Sequence, residues 1–241
     1  MRQQPSPSKD NRELSDEATR EVTIGCLREH LALEVAGSKA TTEMVLEVLV
    51  HAASNGQSIE ASCAELSGSA DSNTLREYVN AAFNEATLES LERQVNQALV
   101  AQLPKKVRKY PIEVAIDLHD QAFYGENERL LGYASRGQAK AGTTYFYRIA
   151  SIYLMLKGVR VTLGVVFVYA QRSLAQCVAR LIKQVRKLNI KLGCLFLDRG
   201  FATIDVYRCL QRRRIPALIA CPIRVKDKGT KALCQGRQSY T

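Results

Sequence analysis

Residues 112–118 read Ile-Glu-Val-Ala-Ile-Asp-Leu, and residues 194–201 read Cys-Leu-Phe-Leu-Asp-Arg-Gly-Phe. Each is a short apolar run typical of a strand, and an aspartate stands at or near its end: Asp117 in the first and Asp198 in the second. An ionised carboxylate in an apolar strand costs several kcal/mol unless a partner compensates its charge. Two such strands predict a shared partner for both aspartates, and a divalent cation is the simplest one.

The sequence around these two runs predicts an α/β domain of order β-β-β-α-β-α-β, in which a turn at Lys157-Gly158 joins the second and third strands. A long loop is expected between the first and second strands. Right-handed crossovers lay the fourth strand beside the first in a mixed sheet, which places Asp117 and Asp198 at the same end of it. The predicted strands are 112–118, 143–154, 160–168, 193–198 and 216–220, and the predicted helices are 173–188 and 203–213.

A divalent metal resolves the repulsion that this arrangement creates. Neighbouring strands lie ~4.8 Å apart, and two carboxylates ~4 Å apart repel by about 4 kcal/mol near a protein surface. Mg²⁺ prefers such oxygen ligands at ~2.0–2.1 Å, and two ions ~3.5–4 Å apart can clamp a phosphodiester undergoing displacement. Taken singly, Asp117 also fits a turn after a strand, and Asp198 fits an Asp-x-Gly turn. Glu113, His119 and Asp120 are weaker candidates.

The charge of the chain is divided between its two parts. Residues 1–100 carry a formal charge of −8 and residues 101–241 carry +18. A basic domain behind an acidic one predicts polyanion binding confined to the second part. A basic surface without a partner is the alternative. The candidate DNA-phosphate contacts are Lys105, Lys106, Arg108, Lys109, Arg136, Lys140, Arg199, Arg212, Arg213 and Arg214.

The acidic front has a helical pattern throughout. Residues 1–16 are predicted to be a disordered leader, 17–103 a helical domain, 104–111 a basic linker and 112–241 the α/β core. Helices capped by Thr42, Ser58 and Ser72 are expected. The last two helices, around a Gly-containing turn, fit either a helix-turn-helix or a small bundle used for packing or self-association.

The remaining composition predicts a reduced, intracellular protein that does not enter a membrane. The seven cysteines show no C-x-x-C spacing, so neither a zinc site nor a disulfide framework is indicated. The longest apolar stretch, 161–170, is about ten residues and too short to span a bilayer.

Two segments resemble a known family. Residues 115–125 (Ala-Ile-Asp-Leu-His-Asp-Gln-Ala-Phe-Tyr-Gly) and 197–201 (Leu-Asp-Arg-Gly-Phe) resemble the first and second acidic motifs of DDE-type insertion-sequence transposases, and the resemblance spans roughly 110–225. It implies a ribonuclease-H-like core that uses Mg²⁺ or Mn²⁺ to cut and join DNA at element ends. Asp117 and Asp198 take the places of the first two catalytic acids. Element ends and target DNA are the expected partners, with a homodimer on DNA and a cytoplasmic, nucleoid-associated location.

The sequence departs from that family at the third catalytic residue, which is a glutamate beyond the last core strand. Here the last glutamate is Glu128, and only Asp205 and Asp227 follow Asp198 among the acids. The expectation is therefore a C-terminally truncated or frameshifted transposase, inactive or partial. Another ribonuclease-H-like nuclease and a non-catalytic DNA-binding remnant are the alternatives.

Overall fold

The computed structural model describes residues 15–35, 37–84, 88–125, 132–156 and 159–221. The chain divides into two compact units, residues 1–94 and 95–241. The division falls inside a helix, so the domain boundary predicted at 104–111 stays a prediction. The predicted turn at Lys157-Gly158 and Asp227 lie outside the described residues.

The front unit is helical where it is described. Its helices are α1 (Asp16–His30), α2 (Thr42–Asn55), α3 (Ile59–Glu65), α4 (Ser72–Asn84) and the start of α5 (Leu88–Val100). Ser58 caps α3 as predicted, by accepting a hydrogen bond from the backbone N–H of Ala61. The other two caps lie one residue earlier than predicted. Thr41 caps α2, and the carboxylate of Asp71 accepts from the N–H groups of Asn73 and Thr74 at the start of α4.

The two helices of the predicted helix-turn-helix are both present, but their surface offers little to a phosphate. Leu75 of α4 is buried in a core with Val45 and Leu46 of α2. The cation on α4, Arg76, lies 3.5 Å from the Glu60 carboxylate of α3. Its charge is therefore already compensated, and a DNA-binding role for α4 stays an untested prediction.

The second unit is α/β. After the rest of α5 and a short 3₁₀ helix (Lys105–Arg108), its elements are β1 (Ile112–Ala122), β2 (Ser135–Lys140), β3 (Thr143–Leu156), β4 (Val159–Val168), α6 (Leu174–Lys187), β5 (Leu192–Leu197), a 3₁₀ turn (Arg199–Phe201), α7 (Ile204–Arg212) and β6 (Ala217–Ile219).

The strands form one mixed sheet in the order β2-β3-β1-β5-β6, with β4 also paired to β3. β1 is antiparallel to β3, β3 is antiparallel to β4, and β5 and β6 run parallel to β1. The predicted pairing of the first and fourth main strands is confirmed, because β1 and β5 are neighbours with Ile116 opposite Leu197. The fold is thus a mixed sheet with helices.

One face of the sheet packs against α6 and α7. Alternation along a strand sends successive side chains to opposite faces, so Val114 and Ile116 of β1 enter the core with Leu195 and Leu197 of β5. α6 begins at a capping box formed by Ser173 and Gln176 and buries a full apolar stripe. Its buried residues are Cys177, Val178, Leu181, Ile182 and Val185.

The predicted long loop between the first two strands is wrong in part. β1 extends four residues beyond the prediction, to Ala122, and β2 forms within the expected loop. Thr143 and Lys140 pair across a two-residue turn in which Ala141 (φ 52°) and Gly142 (φ 78°) are both left-handed, as a tight hairpin requires. The last residues of β1, the first residues of β3 and the whole of β2 form an arm that extends past the rest of the sheet.

A side chain from α5 binds the outer side of β4. The amide of Asn96, on α5, donates to the carbonyl of Val165 at 2.9 Å and accepts from its N–H at 2.6 Å. Asn96 is buried, and Gly164 leaves room for it, since a Cβ there would lie 3.3 Å from its oxygen. The side chain thus replaces a neighbouring strand at the edge of the sheet.

Candidate metal centre and nucleic-acid surfaces

The strand register brings Asp117 and Asp198 to the same end of the sheet. Ile116 and Leu197 are paired across the parallel strands β1 and β5, and each aspartate is the next residue. Asp198 keeps an extended backbone (φ −72°, ψ 174°), and neighbouring strands lie ~4.8 Å apart. By strand alternation Asp117 lies on the face away from α6, and Asp198 directly follows β5 at the same end of the sheet. We call this region the aspartate end of the sheet.

Each carboxylate is oriented by a backbone N–H and keeps one oxygen without a described hydrogen bond. Asp117 Oδ1 accepts from the N–H of Leu118, and Asp198 Oδ1 accepts from the N–H of Gly200, both at 2.9 Å. Gly200 favours this approach, because a Cβ there would lie 3.1 Å from Asp198 Oδ1 and the carboxylate would have to move by a few tenths of an ångström. Asp117 is half-buried and Asp198 is exposed, so their Oδ2 atoms can receive a ligand from solvent.

The donor set fits a divalent cation with two protein ligands. Carboxylate oxygens suit Mg²⁺, which commonly takes one or two protein carboxylates and completes its shell with water or phosphate oxygens. Within the described residues, no group of three His, Cys, Asp or Glu side chains is placed to hold a metal. Asp205, in the first turn of α7, does not join the pair in such a group.

Asp120 is excluded from the site by its own partner. It faces Arg148 across β1 and β3, and the guanidinium donates two hydrogen bonds to its carboxylate, at 2.6 and 2.9 Å. These hydrogen bonds, and then the charge of Arg148, lower the pKa of Asp120 below its usual value. Asp120 is three residues after Asp117 in β1. Because successive side chains of a strand alternate between its faces, Asp120 lies on the face opposite to Asp117.

The structure separates the ten predicted phosphate contacts into three places. Arg199 directly follows Asp198 at the aspartate end and is exposed. Arg136 and Lys140 lie on the arm, and Arg136 is stacked over Tyr145 at 5.4 Å from the ring centre. The remaining seven lie at the other end of the sheet, where β1, β5 and β6 begin.

We call that opposite region the basic end. Each of the three neighbouring parallel strands is preceded there by a basic segment: 105–109 before β1, 186–191 before β5 and 212–214 before β6. The N–H of Ile112 donates to the carbonyl of Lys191, which joins the first two segments. Sequence reasoning missed Arg186, Lys187 and Lys191. The available signal was that each of these residues comes shortly before a predicted parallel strand.

Two of the arginines at the basic end have structural partners. Arg213 donates to the carbonyl oxygen and to the sulfur of Cys209, near the end of α7, and Arg186 donates to the carbonyl of Arg213. Cations beside helix C-termini also offset the helix dipole. The other eight cations are exposed, and none forms an ion pair with a described residue. They are Lys105, Lys106, Arg108, Lys109, Lys187, Lys191, Arg212 and Arg214.

Comparisons with known proteins give only distant likenesses. No family profile and no curated protein matches the sequence. Among solved structures, a piggyBac transposase in a synaptic complex with hairpin DNA is similar at a TM-score of 0.42 and 9% identity, over 92% of this chain and 44% of that one. A simian T-cell lymphotropic virus intasome, in complex with PP2A regulatory subunit B56 gamma, is similar at a TM-score of 0.28 and 13% identity, over 59% of this chain and 47% of that one.

The chain spans less than half the length of either neighbour. Both TM-scores are too low to establish a shared fold. Among the described helices, none is long and apolar enough to cross a membrane.

Proposed function

We propose that the second unit is the ribonuclease-H-like core of a DNA transposase of the insertion-sequence type, with Asp117 and Asp198 as two of its catalytic acids. One observation carries the proposal: the β1–β5 register pairs Ile116 with Leu197, so Asp117 and Asp198, the next residues, come to the same end of neighbouring parallel strands. The strand order supports it. Without β2, the order is β4-β3-β1-β5-β6, with three antiparallel strands followed by two parallel crossovers.

The residues of this chain would have distinct tasks. The Oδ2 atoms of Asp117 and Asp198 would hold Mg²⁺ or Mn²⁺, while the N–H groups of Leu118 and Gly200 keep both carboxylates oriented. The bound ion would supply charge neutralisation at the phosphodiester. Arg199, next in the chain, would donate to a phosphate oxygen beside the pair, because a guanidinium matches phosphate geometry.

Electrostatics makes phosphate binding at the aspartate end depend on metal. Among the described residues, the exposed or half-buried charges there are Asp117, Asp198 and Asp205 against Arg199, so these residues present a net negative charge to a bare phosphate. Like charges ~4 Å apart repel by about 4 kcal/mol near a surface. A substrate phosphate therefore binds there only with the cation in place.

The test is a calorimetric titration of the full chain with Mn²⁺. We expect one weak site that is lost in Asp117→Asn and in Asp198→Asn. Asp120→Asn and Asp205→Asn are matched controls, since each also removes one acid from the same domain. Unchanged binding in both Asp117→Asn and Asp198→Asn would contradict the proposal, as would loss in the two controls alone.

A non-catalytic DNA-binding role is the second candidate, and the two-carboxylate donor set favours it. In-line displacement needs its metals held rigidly, and no third acid joins the pair among the described residues. The assay is Mn²⁺-supported cutting of DNA that carries the element's own ends. Asp198-dependent cutting would assign catalysis to this chain, whereas metal-enhanced binding without cutting would assign the binding role.

A further inference from the structure

The basic end of the sheet is a second concentration of charge that the proposed catalytic pair does not use. Its eight exposed cations come from three separate segments of the sequence. The segments converge only because β1, β5 and β6 are adjacent and parallel, which brings their amino ends together. Adjacent strands ~4.8 Å apart make this a strip about 10 Å wide across the three strands.

Almost no negative charge balances this strip. Within the described residues from 95 to 221, the acids are Glu113, Asp117, Asp120, Asp198 and Asp205. Asp117, Asp198 and Asp205 lie at the aspartate end and Asp120 lies on the arm, which leaves Glu113 as the acid at the basic end. The described residues at the two ends of this domain therefore carry opposite net charge.

One residue at the basic end occupies a backbone position that favours glycine. Arg214 has φ 50° and follows α7 in the left-handed conformation, while the N–H of Ile215 donates back to the carbonyl of Leu210. Glycine is the usual residue at this position because it has no Cβ to crowd the backbone. An arginine is held here, with its side chain exposed.

We propose that the basic end is a metal-independent binding surface for the phosphate backbone of a nucleic-acid duplex, separate from the Asp117/Asp198 pair. Unpaired Lys and Arg side chains in a strip attract a polyanion without base-specific contacts. The surface requires no cation, because it carries its own positive charge. Because it lies at the start of β1, β5 and β6, the phosphates it contacts are not those at the aspartates, which lie at the other end of the same strands. This inference does not depend on the proposed catalytic function.

The test measures binding of a short duplex by the full chain in EDTA, as a function of salt. Each phosphate neutralised on duplex DNA contributes about −0.9 to the slope of log affinity against log salt. The variant Lys106→Gln/Lys191→Gln removes two charges from the basic end, so we expect its slope to be shallower by about 1.8. The variant Lys183→Gln/Arg208→Gln removes two exposed charges from the bodies of α6 and α7, and its slope should remain that of the unmodified chain.

Circular dichroism melting first shows that each variant folds. Asp117→Asn/Asp198→Asn should retain duplex binding in EDTA, which demonstrates that the two ends are separate. Equal slope losses in the two charge-matched variants would overturn the proposal, because net charge alone would then explain binding. Loss of EDTA binding in the aspartate variant would overturn the separation.

An acidic protein surface, such as the front unit of a second copy, is the competing partner for the same strip. Sedimentation at low salt distinguishes it. If Lys106→Gln/Lys191→Gln converts an oligomer into a monomer and leaves duplex binding unchanged, the basic end binds protein and the proposal is wrong.

Discussion

The two ends of the second unit's sheet are made of the same strands and offer opposite chemistry. At the aspartate end lie the carboxylates of Asp117 and Asp198, each with one oxygen that accepts a backbone N–H and one without a described hydrogen bond. At the basic end, the segments that enter β1, β5 and β6 present exposed cations without ion partners among the described residues. Our proposals assign metal-dependent phosphate binding to the first end and metal-independent phosphate binding to the second.

This contrast shows why the net charge of a domain is a poor guide to its binding sites. The charge of +18 over residues 101–241 predicts polyanion binding somewhere. Among the described residues that charge is distributed unevenly, and those at the end proposed for chemistry are net negative. Metal dependence is therefore the property that separates the two ends experimentally.

The largest expected effect is on metal-enhanced duplex binding. In Asp117→Asn/Asp198→Asn, the gain in affinity that Mn²⁺ gives over EDTA should disappear. Even an outer-shell partner of a metal typically contributes about 10–100-fold, so losing both direct ligands should reduce metal affinity at least that much. The measurement is fluorescence anisotropy with and without Mn²⁺. A double variant that kept the Mn²⁺ gain would place the metal elsewhere.

Gly200→Ala should weaken Mn²⁺ binding at the aspartate end and leave duplex binding at the basic end unchanged. The new Cβ would lie 3.1 Å from Asp198 Oδ1, so the carboxylate must move by a few tenths of an ångström. Because it displaces a direct ligand, we expect Mn²⁺ affinity to fall by about tenfold, the lower limit for outer-shell changes.

Calorimetry measures that fall, and duplex affinity in EDTA should stay the same. Gly25→Ala is the matched control, since its Cβ would meet nothing within 4 Å and α1 should gain roughly 0.5–1 kcal/mol of stability. Equal Mn²⁺ affinity in Gly200→Ala and the unmodified chain would show that Asp198 does not bind through the oriented carboxylate.

Arg214→Gly should reduce the positive charge of the basic end without changing the stability of the fold. Glycine suits φ 50°, so the relief of strain should offset the greater freedom of the unfolded chain and keep the free energy of unfolding within about 1 kcal/mol. The salt slope of duplex binding in EDTA should become shallower by about 0.9. Denaturant unfolding and anisotropy give the two values. A variant with an unchanged slope would remove Arg214 from the binding surface.

The smallest expected effect concerns Asp120, the acid that already has a partner. Folding lowers its pKa, chiefly through the hydrogen bond from Arg148, so the pair stabilises the fold above the ordinary aspartate pKa of about 3.9. That stabilisation is lost as the pH falls through the lower folded pKa.

Because both side chains are partly exposed, the pair should contribute at most about 1 kcal/mol. In Arg148→Gln, NMR titration should show the pKa of Asp120 rising towards the ordinary value, with Mn²⁺ affinity unchanged. A fall in Mn²⁺ affinity would show that the Asp120–Arg148 pair affects the metal site. The distinction between Asp120, which has an ion partner, and the proposed metal ligands Asp117 and Asp198 would then be wrong.

Much of the secondary structure follows from local pattern. The apolar runs at 112–118 and 193–198 form strands, and the stripe that begins at Leu174 forms α6, because side-chain periodicity is a property of the local sequence. The N-terminal cap at Ser58 was predictable for the same reason, since its partner is three residues away. The caps predicted at Thr42 and Ser72 lie one residue after the observed caps, which shows that a local pattern locates a helix start less exactly than it identifies the helix.

The sequence by itself determined that two apolar runs, each carrying an aspartate, become neighbouring strands, since a crossover rule of known handedness is enough to pair β1 with β5. Only the tertiary structure decided which charges share an end of the sheet. Arg199 and Arg212 are 13 positions apart, yet α7 carries the chain from one end to the other between them. Arg148 neutralises Asp120 across 28 positions, and Asn96 clamps Val165 across 69. Such pairings depend on strand register and helix direction, which are set by packing of the whole sheet and not by any local run of residues.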